Sequence, residues 1–169
     1  MEIKRFNKLF EQVEETQWMF AYGSLSNTKL RHLLLEEVLP VIPCKISSDY
    51  GHKRKWIQNK ALGSITSGIF PNENPVDING IIFPIKEEDF IKLDDYEYGY
   101  KRELFDWKNI KLDGKEQYSG QKLWIYIPDQ DYEKPEFFKK LPTIYVDYCV
   151  EGFLEISKDS MIEFIKTTD

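Results

Sequence analysis

The middle of the chain places the strongest constraint on the fold. Between positions 41 and 85, short segments rich in β-branched and aromatic residues alternate with Gly, Pro, Asn and Asp, and helical periodicity is absent. The best strand candidates in this stretch are 44–50, 64–70 and 78–85. A helical bundle or a regular alternation of parallel strands and helices would need helical periodicity here, so we predict an α+β fold.

Apolar residues at helical spacing lie on the N-terminal side of this stretch. They predict a short amphipathic helix within residues 6–13, and a second helix that starts after a cap at Ser26 or Asn27 and ends before Pro40. Between the two helices lies the aromatic run 18–22, which is short enough to favour a buried strand. The sequence therefore predicts a strand, a tight loop and a helix in succession.

The second half of the chain alternates helix and strand again. Segment 87–96 has helical spacing, and it is followed by extended candidates at 102–112 and 122–127. No internal repeat or low-complexity linker marks a domain boundary. We therefore predict a single domain over 1–169, with a C-terminal helical extension at about 144–169.

The charge balance and the cysteines narrow the functional classes. Against 29 Asp and Glu residues stand 23 Lys and Arg residues, so the formal net charge is −6 and we expect no nucleic-acid binding. Cys44 and Cys149 lack CxxC spacing, which argues against a disulfide framework and a thiolate zinc site and favours a reducing, cytoplasmic setting. No apolar stretch approaches the roughly 20 residues that a membrane-spanning helix needs, so we expect no membrane span. The basic run 51–56 is interpreted as a solvated hairpin, with steering of an acidic peptide or RNA as its alternative.

The Tyr-Gly-Ser-Leu loop at 22–25 is the first candidate for chemistry. Gly23 lets the backbone turn sharply and approach a ligand closely, and free N–H groups at a helix start can hold a carboxylate or an oxyanion. The alternative is an ordinary strand-to-helix turn capped by Ser24 or Ser26. We do not expect Ser24 to be a nucleophile, because a GxSxG motif is missing.

The second candidate is an acidic helix end. Asp94, Asp95 and Glu97 crowd the end of the helix predicted at 87–96, just before an aromatic-rich strand. Like charges and partial burial raise a carboxyl pKa and make the group a usable general base near neutral pH. A solvated turn is the alternative, and no other ligand cluster in the sequence supports a metal site.

Three motifs together resemble one known family. FAYGSL at 20–25, NGIIF at 79–83, and LDDYE at 93–97 with a Tyr-x-Arg motif just after it resemble the γ-glutamylcyclotransferase, or AIG2-like, family over roughly residues 18–108. The later segment 145–155 resembles a C-terminal helix of some members. The resemblance implies a small mixed β-barrel flanked by helices, and a reaction that releases 5-oxoproline from γ-glutamyl compounds.

The resemblance also implies roles for particular residues. Glu97 matches the family's catalytic Glu and would act as general base and then general acid. The backbone of Gly23, Ser24 and Leu25 would hold the oxyanion, as the loop's own chemistry suggests. Tyr22 would line the pocket and Tyr100 would hydrogen-bond the substrate, completing the predicted substrate-binding set. A γ-glutamyl group carries its own nucleophile, the α-amine, so no cofactor and no metal are expected, and the expected partner is a small γ-glutamyl substrate.

One departure from the family pattern leaves alternatives open. Many members place Gly directly after the catalytic Glu, whereas here Tyr98 intervenes and Gly99 follows, so Asp94 or Asp95 is an alternative acid. The alternative function is a non-catalytic module of the same fold that binds a small metabolite or a protein partner. Another possibility is the same ring closure on a γ-glutamylamine or a related compound. The sequence leaves the leaving group and the oligomeric state open.

Overall fold

The computed structural model describes residues 17–59, 64–112, 121–129, 132–133 and 143–169. The helix predicted at 6–13 lies outside the described residues. The described part contains four α-helices: α1 (Thr28–Leu35), α2 (Phe90–Tyr96), α3 (Thr143–Ile156) and α4 (Lys158–Thr167). Its strands are β1 (Gln17–Ala21), β2 (Ile42–Ile46), β3 (His52–Asn59), β4 (Ser64–Pro71), β5 (Ile78–Ile85), β6 (Tyr100–Phe105), β7 (Ile110–Lys111), β8 (Leu123–Pro128) and β9 (Tyr132–Glu133).

The strands form two sheets. The larger one has the order β6-β8-β1-β5-β2-β7, and the smaller one has the order β4-β3-β9. Strand β1 is parallel to β8 and antiparallel to β5, and the remaining pairs of the larger sheet are antiparallel. This mixed sheet forms a curled half-barrel flanked by helices, which confirms the predicted α+β class with a small mixed barrel.

Strand β1 lies in the centre of the larger sheet and is buried on both faces. Trp18 and Phe20 belong to one apolar cluster, whereas Met19 belongs to a second cluster with Leu35 of α1 and Leu93 of α2. Side chains alternate between the faces of a strand, so burial on both faces explains why this run is continuously apolar. The loop that follows β1 therefore starts from a firmly held strand end.

Helix α1 starts at one of the two predicted caps but ends earlier than predicted. The Asn27 side chain accepts the Leu30 N–H at 3.0 Å, which identifies Asn27 as the cap. The helix ends at Leu35 because Glu36 adopts a left-handed φ of 58° and its N–H donates to the His32 carbonyl. The apolar pattern continues to position 38, but local backbone geometry has already closed the helix.

Two predicted strands are interrupted by capped turns. Strand β2 ends at Ile46, inside the segment 44–50 that is predicted to be extended. The chain leaves the sheet there because the Ser47 side chain accepts the Asp49 N–H and starts a short 3-10 turn. The extended segment predicted at 102–112 is interrupted by another 3-10 turn. In this turn the Lys108 N–H donates to the Asp106 carboxylate. In both cases a short polar side chain offers the backbone an alternative to the sheet ladder.

The basic run 51–56 lies in the antiparallel pair of β3 and β4, which agrees with its interpretation as a hairpin, but the run is not solvated throughout. From His52 onward the run is part of β3, which pairs with β4 along its whole length. Arg54 of this strand points into the protein and has 0% exposed surface. An inward-facing charged side chain breaks the apolar alternation that identifies strands, so the pattern concealed β3.

Helices α3 and α4 lie in the C-terminal segment, where a helical extension is predicted. Cys149 and Phe153 of α3 and Phe164 of α4 form a buried cluster, against which Trp56 of β3 packs. Ser157 caps α4 by accepting a backbone N–H. Among the helices of the described ranges, none is long and apolar enough to cross a membrane. The assignment of the whole chain to one domain stays a prediction.

Candidate active site

A pocket opens at the end of β1, and the space inside it together with the solvent at its open mouth is about 300 Å³. All six predicted site residues line it, namely Tyr22, Gly23, Ser24, Leu25, Glu97 and Tyr100. Five further residues complete the lining among the described part of the chain: Phe20, Ala21, Ser67, Tyr126 and Tyr145. The fold therefore brings the loop at 22–25 and the acidic helix end, about 70 positions apart in sequence, to one cavity.

The loop at 22–25 lines the pocket, and its carbonyl groups are hydrogen-bonded whereas three of its N–H groups are free. The Gly23 carbonyl accepts the Ser26 N–H and hydroxyl, and the Ser24 carbonyl accepts the Asn27 N–H. Within the described residues, the N–H groups of Gly23, Ser24 and Leu25 have no protein acceptor. A concave run of free N–H groups attracts negative charge, so this loop can hold a carboxylate or an oxyanion.

Gly23 also fits where a larger residue would not. A Cβ atom at this position would lie 2.8 Å from the Ser67 hydroxyl oxygen and 2.9 Å from the Tyr145 hydroxyl oxygen. Those distances are too short for a carbon atom. Glycine therefore lets the loop approach β4 and α3 closely enough to form the pocket wall.

Glu97 lies at the C-terminal end of α2, where its backbone is held at both sides. Its N–H donates to the Leu93 carbonyl at 2.8 Å, and its carbonyl accepts the Tyr100 N–H at 2.9 Å. The carboxylate has no hydrogen-bond or ion-pair partner among the described residues. Burial without a partner disfavours the charged form and raises the pKa of Glu97 to about 8.

The extra residue after Glu97 does not remove the carboxylate from the pocket. Tyr98 points outward with 61% of its surface exposed, and its carbonyl accepts the Asn59 side-chain amide at 3.2 Å. Gly99 then takes a φ of 87°, a conformation that favours glycine, and returns the chain to β6. The departure from the family pattern is therefore accommodated in the turn.

The two alternative acids lie outside the pocket lining. The Asp94 carboxylate accepts a hydrogen bond from the Tyr126 hydroxyl at 2.6 Å and forms an ion pair with Arg102 at 3.3 Å. These two side chains already engage the carboxylate. Asp95 is exposed to solvent. Asp94 is therefore placed to orient Tyr126, a pocket residue, rather than to contact a ligand itself.

Tyrosine hydroxyls surround the carboxylate in fixed positions. The Tyr22 hydroxyl donates to the Tyr126 carbonyl at 2.7 Å, and the Tyr100 hydroxyl donates to the Ser67 carbonyl at 2.7 Å and also contacts the Thr66 hydroxyl. Burial raises the pKa of both Tyr22 and Tyr100 above the usual value, and the nearby Glu97 adds to the effect. Both phenols therefore stay protonated at neutral pH.

Sequence reasoning did not find three of the lining polar side chains. Tyr126 lies on the predicted strand at 122–127, Ser67 on the one at 64–70, and Tyr145 on the predicted C-terminal helix, but no local motif distinguishes them. The Tyr145 hydroxyl accepts the Ser67 N–H at 3.1 Å, which joins α3 to β4 at the pocket wall. Such contacts between distant segments leave no periodic signal in one sequence.

The described ranges contain no group of three or more His, Cys, Asp and Glu side chains arranged to hold a metal ion. The chemistry available from the pocket's own groups is proton transfer at Glu97, hydrogen bonding by tyrosine hydroxyls, and stabilisation of negative charge by backbone N–H groups.

Fold and pocket together define a small half-barrel protein that offers one carboxylate and a row of peptide N–H groups to a small ligand. The sequence pattern of the gamma-glutamyl cyclotransferase, AIG2-like, family matches residues 19–142, and the chain belongs to this family. No curated protein sequence gives a significant match.

Solved structures with the same fold are distant in sequence. An uncharacterized protein from Homo sapiens is 15% identical with a TM-score of 0.69, over 91% of this chain and 89% of that one. A protein named gamma-glutamyl cyclotransferase is 14% identical with a TM-score of 0.68, over 90% and 88% of the two chains. A yeast gamma-glutamyl cyclotransferase described as specific to glutathione is 13% identical with a TM-score of 0.56, over 91% and 96%. At these identities the likeness concerns the fold.

Proposed function

We propose that this protein is a γ-glutamyl cyclotransferase that converts a γ-glutamyl compound to 5-oxoproline and releases an amine or amino acid, without a cofactor. The observation that carries the proposal is the unpartnered Glu97 carboxylate in the same pocket as the free N–H groups of 23–25. Family membership supports it, as do fold neighbours that are named cyclotransferases.

The substrate supplies the nucleophile in the proposed reaction. The α-amine of a γ-glutamyl group reaches its own γ-carbonyl carbon by closing a five-membered ring, so attack is intramolecular and gains the rate advantage of proximity. The pocket needs neither a serine nor a cysteine nucleophile for this step. Its task is to fix the folded substrate conformation and to exclude competing arrangements.

Glu97 moves the protons in this mechanism. As a carboxylate it takes a proton from the substrate's α-ammonium, which frees the nitrogen lone pair for attack on the γ-carbon. As a carboxylic acid it then returns this proton to the leaving nitrogen while the bond from that nitrogen to the γ-carbon breaks. The regenerated carboxylate accepts the second proton that the ring nitrogen loses on becoming the lactam N–H, and this proton passes to the released amine. The raised pKa suits both steps, because a base with a pKa near the working pH accepts and donates protons efficiently.

The loop at 22–25 stabilises the negative charge that ring closure creates. Attack converts the γ-carbonyl oxygen to an oxyanion, and the N–H groups of Gly23, Ser24 and Leu25 are the donors proposed to hold it. Tyr22 lines the pocket beside them, and Tyr100 is proposed to hydrogen-bond the bound substrate. These assignments give every predicted site residue a role in one reaction.

The test is release of 5-oxoproline, measured by mass spectrometry, from γ-glutamyl dipeptides, glutathione and γ-glutamylamines. We expect the wild-type protein to turn over at least one compound class, and Glu97→Gln to lose at least about 10²-fold in kcat, since glutamine keeps the shape but cannot accept a proton. Asp95→Asn is the matched control, because it removes an exposed carboxylate two positions away.

Two results would count against the proposal. Folded Glu97→Gln with wild-type turnover would exclude Glu97 as the base. Binding of γ-glutamyl compounds by the wild-type protein without any turnover would instead favour the non-catalytic binding module.

A further inference from the structure

Arg54 occupies an unusual position directly behind the pocket loop. Its side chain is fully buried, and its Nη1 donates to the Tyr22 carbonyl at 2.7 Å and to the Asn79 carbonyl at 3.2 Å. Its Nη2 donates to the Asn79 side-chain oxygen and to the Thr167 hydroxyl at 3.3 Å. Arg54 therefore ties the start of the loop to β5 and to the end of α4.

The charge of Arg54 is not paired with a carboxylate. Among the described residues no Asp or Glu lies within ion-pair distance, and its Nε has no hydrogen-bond partner. The guanidinium packs on the rings of Phe164 and Phe153, at 4.5 and 5.3 Å from the ring centroids. Burial lowers the pKa of Arg54 to about 10, so the group remains a cation at neutral pH.

Burying a cation without a paired carboxylate costs free energy. The hydrogen bonds that Arg54 makes do not by themselves require a charged donor. An uncharged donor such as a glutamine amide could bond a carbonyl without the desolvation penalty of a charge. The position of the charge suggests a use for it, because negative charge develops in the pocket on the other side of the loop during the proposed reaction.

The connection runs through a single peptide group. The Tyr22 carbonyl that Arg54 binds and the free N–H of Gly23, a pocket-lining residue, belong to the same planar amide, in which the C=O and the N–H point in opposite directions. A charged donor on the carbonyl polarises this amide and strengthens its N–H as a donor, and it also fixes the amide plane. We propose that Arg54 is a positioning residue, which orients and polarises the Tyr22–Gly23 peptide so that the Gly23 N–H stabilises the oxyanion of the proposed cyclisation. This inference rests on the proposed function.

Arg31 offers an internal comparison. It is also fully buried, and its Nη1 donates to the Leu25 carbonyl at 2.8 Å. The N–H of that peptide belongs to Ser26 and donates back to the Gly23 carbonyl. Arg31 therefore reaches a free N–H of the loop, that of Ser24, only through one additional peptide, and its effect on the donors is expected to be weaker than that of Arg54.

The test compares Arg54→Met and Arg54→Lys with the wild-type protein on the substrate found by the 5-oxoproline assay. We expect kcat to fall about tenfold to a hundredfold in Arg54→Met with KM within about twofold, which is less than the 10²–10³-fold loss expected on removing an oxyanion donor itself. Arg54→Lys keeps the charge and should recover part of kcat. If Arg54→Met does not fold, Arg54→Lys alone should still show a fall in kcat at constant KM.

A matched control separates catalysis from attachment of α4. Lys45→Met breaks the 2.7 Å ion pair between Lys45 of β2 and Glu163 of α4 without touching the pocket, so kcat should be unchanged. The amide itself is followed by NMR, where loss of the hydrogen bond in Arg54→Met should shift the Tyr22 carbonyl carbon and the Gly23 amide nitrogen upfield.

The outcomes are distinguishable from failure of the proposed function. An active wild-type protein whose folded Arg54 variants keep its kcat, or change KM alone, would overturn the inference and leave the proposed function intact. Unchanged Tyr22 and Gly23 resonances in Arg54→Met would also overturn it. Absence of 5-oxoproline release by the wild-type protein would overturn the proposed function, and the positioning role in that reaction with it.

Discussion

The raised pKa of Glu97 is the residue-scale property that links the pocket to a measurable pH profile. Since the proposed base works as a carboxylate, kcat/KM should rise with pH through an inflection near the pKa of about 8 of the free enzyme. In the complex, the substrate's ammonium favours the charged carboxylate, so the inflection in kcat should lie at lower pH. Steady-state kinetics between about pH 5 and pH 9 check both inflections.

Glu97→Asp is the informative comparison for this pH profile. Aspartate keeps a carboxylate but shortens the side chain, so a rising limb should remain while the rate falls. A rising limb that persisted unchanged in Glu97→Gln would assign the ionisation to another group and contradict the prediction.

Individual site residues could be predicted where a local motif carried them. The Tyr-Gly-Ser-Leu loop and the Glu97 position follow from short sequence patterns, and the fold brings them to one pocket. Tyr145 and Arg54 could not be predicted in the same way. Their importance comes from contacts with Ser67 and with the Tyr22 carbonyl, which belong to segments distant in sequence.

At the scale of elements, helix α3 packs against the turn that follows the pocket loop through Gly152. A Cβ atom at Gly152 would lie 2.5 Å from the Asn27 nitrogen and 2.5 Å from the Ser26 carbonyl carbon, both of them backbone atoms. Replacing a helical glycine by alanine usually stabilises a protein by about 0.5–1 kcal/mol. Here overpacking against backbone reverses the sign, and we expect Gly152→Ala to lose about 1–3 kcal/mol in the free energy of unfolding.

Urea unfolding measures this change, with Asp147→Ala on the exposed side of the same helix as control. The control should leave stability within about 0.5 kcal/mol. Because the clash pushes on the residues that continue the pocket loop, Gly152→Ala should also reduce turnover. An increase in stability in Gly152→Ala would show that α3 can move away from the turn without cost.

The elements themselves were predictable where burial and periodicity agreed. Strand β5 has the predicted limits 78–85, and α1 starts at a predicted cap. Strand β3 was missed because Arg54 and Asn59, both polar, occupy buried positions on it. The end of α1 was misplaced because a left-handed backbone conformation at Glu36, a residue with no strong preference for it, closes the helix.

On the scale of the whole molecule, the family pattern and the folded unit end at different places. The pattern stops at residue 142, before α3 and α4. Two backbone hydrogen bonds nevertheless join β3 to Asp169, which follows α4. The Trp56 N–H donates to the Asp169 carbonyl at 2.7 Å, and the Asp169 N–H donates to the Arg54 carbonyl at 3.1 Å. The two helices also cover the buried Arg54 side chain.

We therefore expect a protein truncated after residue 142 to lose cooperative folding. Removing a buried phenylalanine side chain costs about 3–5 kcal/mol, so the loss of Phe153 and Phe164 alone approaches the 5–15 kcal/mol by which a typical domain is stable. Arg54 would in addition lose Thr167 and its aromatic neighbours. Thermal unfolding followed by circular dichroism, together with the dispersion of amide NMR signals, measures the outcome.

A truncation after residue 167 provides the control, because it removes the two backbone bonds to Asp169 but keeps both helices. It should unfold cooperatively at a lower temperature than the whole chain, since the two lost hydrogen bonds are worth about 0.5–1.5 kcal/mol each. Cooperative unfolding of the 1–142 protein, with dispersed amide signals, would show that the half-barrel is stable by itself and that the C-terminal helices are an appendage. Loss of cooperativity in 1–142 with retention in 1–167 would make the helices part of the same folding unit, as the predicted single domain requires.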